Sequence, residues 1–381
     1  MGTDQTDPVE GSADGNDDDV DLYEVATWEE RSRLDGFAVA LYRFGTATAR
    51  GLVILVGLVL LFGIGAFSAV TSPVVGVLTV LSAVPAVLLA GYVYVSDVTA
   101  NEPPALLLGT FLLSVVTATF AAVLNGLAQG LFAGVGAVGF LLFFYLFVGP
   151  VEETVKLLAV RLYAYRDDRF GAVVDGAVYG AMAGLGFAFI ENALYIERGL
   201  MGTELGGGLA FIAAGSQITL TRALAGPGHV IYSAFAGYYL GLAKFNNDDW
   251  GPIVIKGLVI ASLIHATYNS TVGLGSAVLA ALGLPELVAT FAYILLYDAL
   301  FGALLLRKIH NYRRTYERVE AGGVGEAATG VADEPTDGES GESTGSAASE
   351  GPGPGRTHEE RRGRHAPDDA VAADGDDPSR E

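Results

Sequence analysis

The amino-acid sequence predicts an all-α, polytopic transmembrane helix bundle of about eight spans, with disordered acidic tails at both ends. Apolar residues make up 51% of the 381 residues and the mean hydropathy is +0.43, which argues against a set of soluble domains. These residues lie in long blocks, such as 51–70, 73–95 and 106–124. Each block is close to the roughly 20 residues that cross a bilayer core. The net charge of −21 arises mostly at the two ends of the chain.

Eight spans follow from these blocks and from similar runs later in the chain. They are predicted at 51–71, 74–95, 104–128, 136–162, 171–196, 226–243, 253–273 and 285–306. Basic clusters precede the first span, follow the fourth and follow the last: Arg31, Arg33, Arg43, Arg50; Arg161, Arg166, Arg169; Arg307, Lys308, Arg313, Arg314. Because cytoplasmic flanks carry an excess of Lys and Arg, we expect a multi-pass protein of the cell membrane with both termini cytoplasmic. The short apolar segment 206–221 is predicted to be re-entrant or interfacial on the outer side.

The composition divides the chain into three regions. Residues 1–45 form an acidic, disordered cytoplasmic tail, 46–310 the transmembrane domain, and 311–381 an acidic tail rich in Gly, Ser and Pro. The lipid bilayer is therefore the expected partner of the central region. An acidic balance argues against nucleic-acid binding, which needs a basic surface. The absence of cysteine excludes thiolate nucleophiles and cysteine-based metal sites.

Ionisable residues inside apolar spans are costly, so each one is a candidate for function. The fourth span contains Glu152, Glu153 and Lys156, directly after Gly149-Pro150, which is expected to break the helix. Glu191 lies in the fifth span, and His229 and His265 are the two of five histidines that lie within apolar sequence. Two such histidines beside several carboxylates favour a metal site or a proton relay over satisfied core residues.

Helical spacing groups these side chains. Glu152 and Lys156 are four residues apart and can form an ion pair on one helix face, whereas Glu153 points about 100° away and needs another partner. His265 and Asn269 are also four apart, which predicts that an imidazole and a carboxamide enter one cavity. This pair suits a metal ligand or an oxyanion-polarising pair beside a general base.

The interior of the fifth span is rich in glycine, at Gly176, Gly180, Gly184 and Gly186. They predict close approach of a neighbouring helix, because glycine lets two backbones meet. They do not indicate a phosphate loop, since they lie within one apolar helix.

Four blocks in order resemble the PrsW family of intramembrane metalloproteases. The first is Glu152-Glu153-Thr154-Val155-Lys156, similar to that family's EExxK motif, and the second runs from Asp175 through Gly184-Leu185-Gly186-Phe187 to Glu191-Asn192. The third runs from Arg222 to His229 with Gly237 following, and the fourth is His265-Ala266-Thr267-Tyr268-Asn269. The resemblance covers 135–275, and it extends to the CAAX-processing and bacteriocin-processing membrane proteases, whose basic residue comes one position later.

The resemblance implies a peptidase that hydrolyses a peptide bond of a membrane-anchored protein. Glu152 or Glu153 would activate a water with Lys156 beside them, and Asn269 would support the oxyanion. Glu191, His229 and His265 would hold zinc or polarise the carbonyl directly, with Asp175, Asn192 and Arg222 in support. Three nitrogen or oxygen ligands with one open position are chemically reasonable for zinc, although the sequence has no HExxH helix.

Single residues and the whole chain keep alternative interpretations. Asp175 either serves the site or has a structural role, in which it caps its helix or pairs with Arg161 or Arg169. Arg222 either binds a carboxylate or lies at the outer interface. The whole chain could instead be a proton- or ion-coupled transporter, although no second broken helix matches the one at Gly149-Pro150. It could also be a catalytically silent relative that acts as a membrane scaffold.

Overall fold

The computed structural model describes residues 30–63, 72–97, 102–201 and 210–329. Most of both predicted tails therefore lies outside the described residues. The chain divides into two units, Met1–Glu326 and Ala327–Glu381, and only the end of a helix is described in the second. All sites discussed below belong to the first unit.

The described residues are mostly helical and contain no strand, which confirms the predicted all-α bundle. The α-helices are α1 Arg33–Gly63, α2 Pro73–Val95, α3 Pro104–Ala133, α4 Gly136–Leu142, α5 Gly149–Leu162, α6 Val173–Leu200, α7 Ala210–Lys244, α8 Trp250–Ala281 and α9 Glu286–Thr329. A π-helical segment, Phe143–Val148, joins α4 to α5, and a 3₁₀ turn, Ala164–Arg166, follows α5. In the described part of the chain, seven helical segments are long and apolar enough to cross a membrane.

The helix boundaries differ most from the predictions at the two ends. Helix α1 begins at Arg33, well before the predicted start of the first span at residue 51, and α9 continues to Thr329, beyond the predicted end at 306. Both extensions carry charged and polar residues, so hydropathy alone did not include them in a span. Hydrogen bonding continues along a helix past the edge of an apolar block.

Helix α7 replaces two predicted elements with one. Residues 210–221, expected to belong to a separate re-entrant stretch, continue through Pro227 into the predicted span 226–243; residues 206–209 lie outside the described part. The prediction of a separate stretch was wrong, because its apolar part is short only when it is considered alone; the helix continues from residue 210 through Pro227 to Lys244. Helix α7 is not among the seven apolar segments, since polar residues such as Arg222 and His229 lower its hydropathy.

At the expected break, Gly149-Pro150, the helix is not interrupted; a π-helical segment precedes the two residues. The π-helical segment ends at Val148, and Pro150 lies in the first turn of α5, where its missing N–H does not interrupt the helix. A Cβ atom added to Gly149 would lie 2.7 Å from the Ser262 carbonyl oxygen of α8. The start of α5 therefore lies directly against α8, which brings Glu152 and Glu153 close to His265.

Helix α6 is the centre of the bundle, since 89% of the residues in its 18-residue apolar stretch are buried. The predicted close approach at its glycines is confirmed. Cβ atoms added to Gly180 and Gly184 would each lie 2.3 Å from a carbonyl oxygen of α7, those of Ser233 and His229. Backbone contact between α6 and α7 thus fixes the height of His229 in the bundle.

Gly184→Ala should separate α6 from α7, because its new methyl group collides with the backbone of His229. We expect a loss of about 1–3 kcal/mol in the free energy of unfolding, the usual cost of overpacking. Thermal unfolding of the purified protein measures it. Gly91→Ala is the matched control, since nothing lies within 4 Å of its added Cβ. Equal stability of the two variants would contradict the proposed role of the contact.

Candidate active site

A cavity of about 450 Å³ opens in the middle of the bundle. Its lining includes Glu152 of α5, Glu191 of α6, His229 of α7, and His265 and Asn269 of α8. The predicted common cavity for His265 and Asn269 is thus present. These residues come from four helices and line one cavity.

Glu153 lies behind this cavity and is fully buried. Its Oε1 accepts a hydrogen bond from Lys156 Nζ at 2.7 Å and lies 2.8 Å from His265 Nδ1. The Ser233 hydroxyl donates to its Oε2 at 3.4 Å. One carboxylate therefore holds a lysine, an imidazole and a hydroxyl from three helices.

Lys156 lies closer to Glu153 than to the partner that spacing predicted. Its Nζ is 2.7 Å from Glu153 but 3.9 Å from Glu152 Oε2. The ammonium also lies 3.0 Å from His229 Nδ1 and 4.2 Å from the centre of the Phe187 ring. The neighbours from α6 and α7 draw the lysine toward Glu153, an effect that spacing within one helix does not include.

Glu152 faces the cavity and has fewer close cationic and polar partners than Glu153. Its Oε1 accepts a hydrogen bond from the Asn125 amide of α3 at 2.9 Å. Its Oε2 is buried without a hydrogen-bond partner among the described residues, and the nearest His265 nitrogen, Nε2, is 3.6 Å away. The two adjacent glutamates thus differ: Glu153 is satisfied by cationic and polar groups, whereas one oxygen of Glu152 is available to a ligand or water.

His229 and Glu191 form the opposite wall. His229 Nε2 lies 2.9 Å from Glu191 Oε2, and Arg222 donates to the same carboxylate. Arg222 Nε also donates to Asn192 Oδ1 at 2.8 Å, and the Asn192 amide donates to Ser82 of α2 at 3.0 Å. Of the two interpretations of Arg222, the structure thus shows carboxylate binding, and Asn192 holds that arginine in place.

The histidines and Glu152 converge as metal ligands would. One ligand atom each from Glu152, His229 and His265 lies within 4.8 Å of the others. The predicted set contained Glu191 instead of Glu152. Two imidazoles and a carboxylate are donors that zinc accepts, and the buried, unbonded oxygen of Glu152 is of the kind that a ligand would satisfy. The residues therefore fit a zinc ion.

Aromatic rings fix the orientation of the imidazoles. The Tyr232 ring stacks on His265 with 5.1 Å between the ring centres and an interplanar angle of 25°. Tyr268 follows at 6.5 Å from Tyr232, and both rings line the cavity. Because His265 Nδ1 is also held by Glu153, its Nε2 is directed toward Glu152.

Asp175 lies outside the cavity. Its Oδ2 accepts hydrogen bonds from the backbone N–H groups of Gly171 and Ala172, at 2.8 and 3.1 Å. The capping interpretation is thus confirmed, while Arg169 pairs with Asp167 at 2.7 Å and holds the pKa of that carboxyl at about 2.

Sequence reasoning missed Asn125, Ser233 and Tyr232, although each contacts a residue that it had identified. Asn125 had a usable signal, since it is an amide in an otherwise apolar span. Ser233 and Tyr232 lie one turn beyond His229, where serine and tyrosine are ordinary packing residues. Only the position of α7 beside α5 and α8 gives them their contacts.

Comparison with known proteins agrees with this site. A family model described as PrsW family intramembrane metalloprotease matches residues 102–301, which enclose the predicted motif core 135–275. Protease PrsW of Bacillus subtilis (strain 168) is 30% identical over 192 residues, which cover 49% of this chain and 78% of the relative. Protease PrsW of Geobacillus kaustophilus (strain HTA426) is 32% identical over 188 residues, covering 49% and 75%. That of Shouchella clausii (strain KSM-K16) is 28% identical over 188 residues, covering 49% and 78%.

No solved structure is significantly similar to the chain. The matched region contains α3 to α8 and the start of α9, and so every residue of the cavity described above. The bundle of membrane-capable helices, the buried glutamates and histidines and the family match agree on one kind of enzyme, a peptidase that acts within the membrane. The chain belongs to the PrsW family of intramembrane metalloproteases.

Proposed function

We propose that the protein hydrolyses a peptide bond of a membrane-anchored protein substrate, with Glu152 as the carboxylate that activates water. The observation that carries this proposal is the buried Oε2 of Glu152, which faces the cavity without a hydrogen-bond partner among the described residues. A general base has to lie within hydrogen-bond reach of the water it deprotonates. Glu153 is less suited to this role, because it is enclosed by Lys156 and His265.

Glu153 and Lys156 act as positioning residues in this proposal. Glu153 holds Nδ1 of His265, and the Lys156 ammonium faces Nδ1 of His229 at 3.0 Å. Both imidazoles are thereby turned so that their Nε2 atoms lie toward carboxylates that line the cavity, Glu152 and Glu191. Groups held in this way need little rearrangement when charge develops in the transition state.

We assign zinc to His229, His265 and Glu191. Glu191 accepts a hydrogen bond from Arg222 and lies 2.9 Å from His229 Nε2, so this carboxylate is already held beside an imidazole, and the assignment leaves Glu152 to act on water. A bound zinc ion would polarise the scissile carbonyl and lower the pKa of water. Asn269 lines the same cavity, and in this proposal it donates a hydrogen bond to the oxyanion while Asn192 and Arg222 support the carboxylate.

Metal analysis of the purified protein tests this ligand set. We expect about one zinc per chain in the wild type, and loss of the metal in His265→Ala and in Glu191→Gln. Glu152→Gln should keep its zinc, because that residue acts on water. Retention of zinc by Glu191→Gln together with its loss from Glu152→Gln would reverse the two roles, in line with the convergence of Glu152 on the histidines. A metal-free, active wild type would exclude zinc.

The basic flanks favour a multi-pass protein of the cell membrane with both termini cytoplasmic. Cleavage of a single-pass membrane protein by the full chain in reconstituted liposomes tests the function directly. Peptide products from the wild type and none from His265→Ala are the expected result. Proton or ion flux without cleavage would support a transporter instead, and folded protein with neither activity would support a silent scaffold.

A further inference from the structure

A second cluster of acidic residues lies where α2 ends, α3 begins and α6 begins. One oxygen each of Asp97, Glu102 and Asp175 lies within 4.8 Å of the others. All three residues are buried, with exposed fractions of 5%, 4% and 1%. None of them lines the catalytic cavity, so this cluster is separate from the site described above.

The backbone holds one member of this cluster in place. Asp175 Oδ2 accepts the N–H groups of Gly171 and Ala172, which fixes the carboxylate at the start of α6. Glu102 directly precedes Pro103 and α3, and its Oε2 is buried without a hydrogen-bond partner among the described residues. A rigid carboxylate and a carboxylate with one unbonded oxygen thus belong to the same small group.

A tyrosine hydroxyl independently points to a missing ligand at this place. Tyr179 lies one helical turn from Asp175, is fully buried, and stacks its ring on Phe170 at 5.6 Å. In the described part of the chain its hydroxyl has no hydrogen-bond partner. Because side chains of an α-helix lean toward its N-terminus, the Tyr179 side chain extends over the turn that carries Asp175. A buried hydroxyl normally finds a partner, and a bound cation in this cluster would supply one.

Three carboxylates enclosed together repel one another unless protons or a cation compensate them. The donors here are all oxygen atoms, which hard divalent cations such as Mg²⁺ and Ca²⁺ prefer. The catalytic site differs in chemistry, because its two imidazoles favour zinc.

We propose that Asp97, Glu102 and Asp175, with the Tyr179 hydroxyl, form an oxygen-only site for a hard divalent cation of the Mg²⁺ or Ca²⁺ class. The cation ties the end of α2 and the start of α3 to the start of α6, the helix that carries Glu191. The site has a structural role and does not depend on the catalytic assignment.

The test is direct binding of Ca²⁺ and of Mg²⁺ to the full chain. The protein is purified in detergent, stripped with a chelator and titrated with each metal salt by calorimetry. We expect saturable binding of about one ion per chain. Glu102→Gln should weaken the affinity by at least about tenfold, and Tyr179→Phe, which keeps the ring on Phe170, should weaken it severalfold.

Two controls separate this site from other carboxylates and from the zinc site. Glu317→Gln removes an exposed carboxylate that pairs with Arg313, and should leave binding unchanged. His265→Ala removes an imidazole of the catalytic site and should also keep hard-cation binding. The proposal is overturned if the wild type shows no saturable binding of either cation. It is also overturned if Tyr179→Phe and Glu102→Gln bind the cation as tightly as the wild type does. If Glu102→Gln does not fold, Tyr179→Phe decides alone.

Discussion

Glu152→Gln is expected to abolish peptide-bond cleavage while leaving the bundle folded. The amide keeps the size of the side chain and can still bond to Asn125, which lies 2.9 Å from Oε1. It has no basic oxygen to take a proton from water. General-base catalysis contributes about 10²–10⁴-fold to a rate, so the loss should reach that range.

The measurement is the single-turnover cleavage rate of a membrane-anchored substrate in liposomes, with thermal unfolding recorded on the same preparation. Glu317→Gln is the control, because the Glu317 carboxylate is exposed and pairs with Arg313, one turn earlier in α9. Equal rates for Glu152→Gln and the wild type would show that another group activates the water. If Glu152→Gln does not fold, Glu152→Asp takes its place, because aspartate keeps the carboxylate but shortens its reach toward the cavity.

Glu153→Gln is expected to lower both stability and activity. It removes the negative charge that lies 2.7 Å from Lys156 Nζ, and the ammonium is almost completely buried. Breaking a buried ion pair from one side typically costs about 3–5 kcal/mol, because the remaining charge is left without compensation. The nearest carboxylate left to Lys156 is Glu152, at 3.9 Å. Pairing with it would draw the proposed base away from the cavity.

The double variant Glu153→Gln, Lys156→Met separates the two effects. Removing both charges should restore most of the thermal stability, since replacing a buried pair by apolar groups is often neutral. Activity should stay low, because His265 Nδ1 has lost the carboxylate that orients it. Thermal unfolding and cleavage rates of the single and double variants form a double-mutant cycle. Recovery of activity together with stability would show that Glu153 serves only the fold.

The sequence by itself determined the class of the protein and pointed to the ionisable candidates for its site. Apolar blocks near the thickness of a bilayer identify spanning helices, because unpaired backbone groups are excluded from lipid. Charged residues within such blocks are rare, so Glu152, Glu191, His229 and His265 were identifiable without a structure. The helical repeat also predicted that Glu152 and Glu153 need different partners, and they have them.

The tertiary structure alone decided which groups meet. Glu153 and His265 are 112 positions apart, and their contact depends on the approach of α5 to α8 at Gly149. The same is true of Lys156, which spacing paired with Glu152 and which the neighbours on α6 and α7 draw toward Glu153. Asn125 and Tyr232 acquire a role only because α3 and α7 lie beside the cavity. The helical repeat determines the direction in which a side chain leaves its own helix. Which partner it meets depends on how the helices pack, and small residues such as Gly149 and Gly184 set that packing.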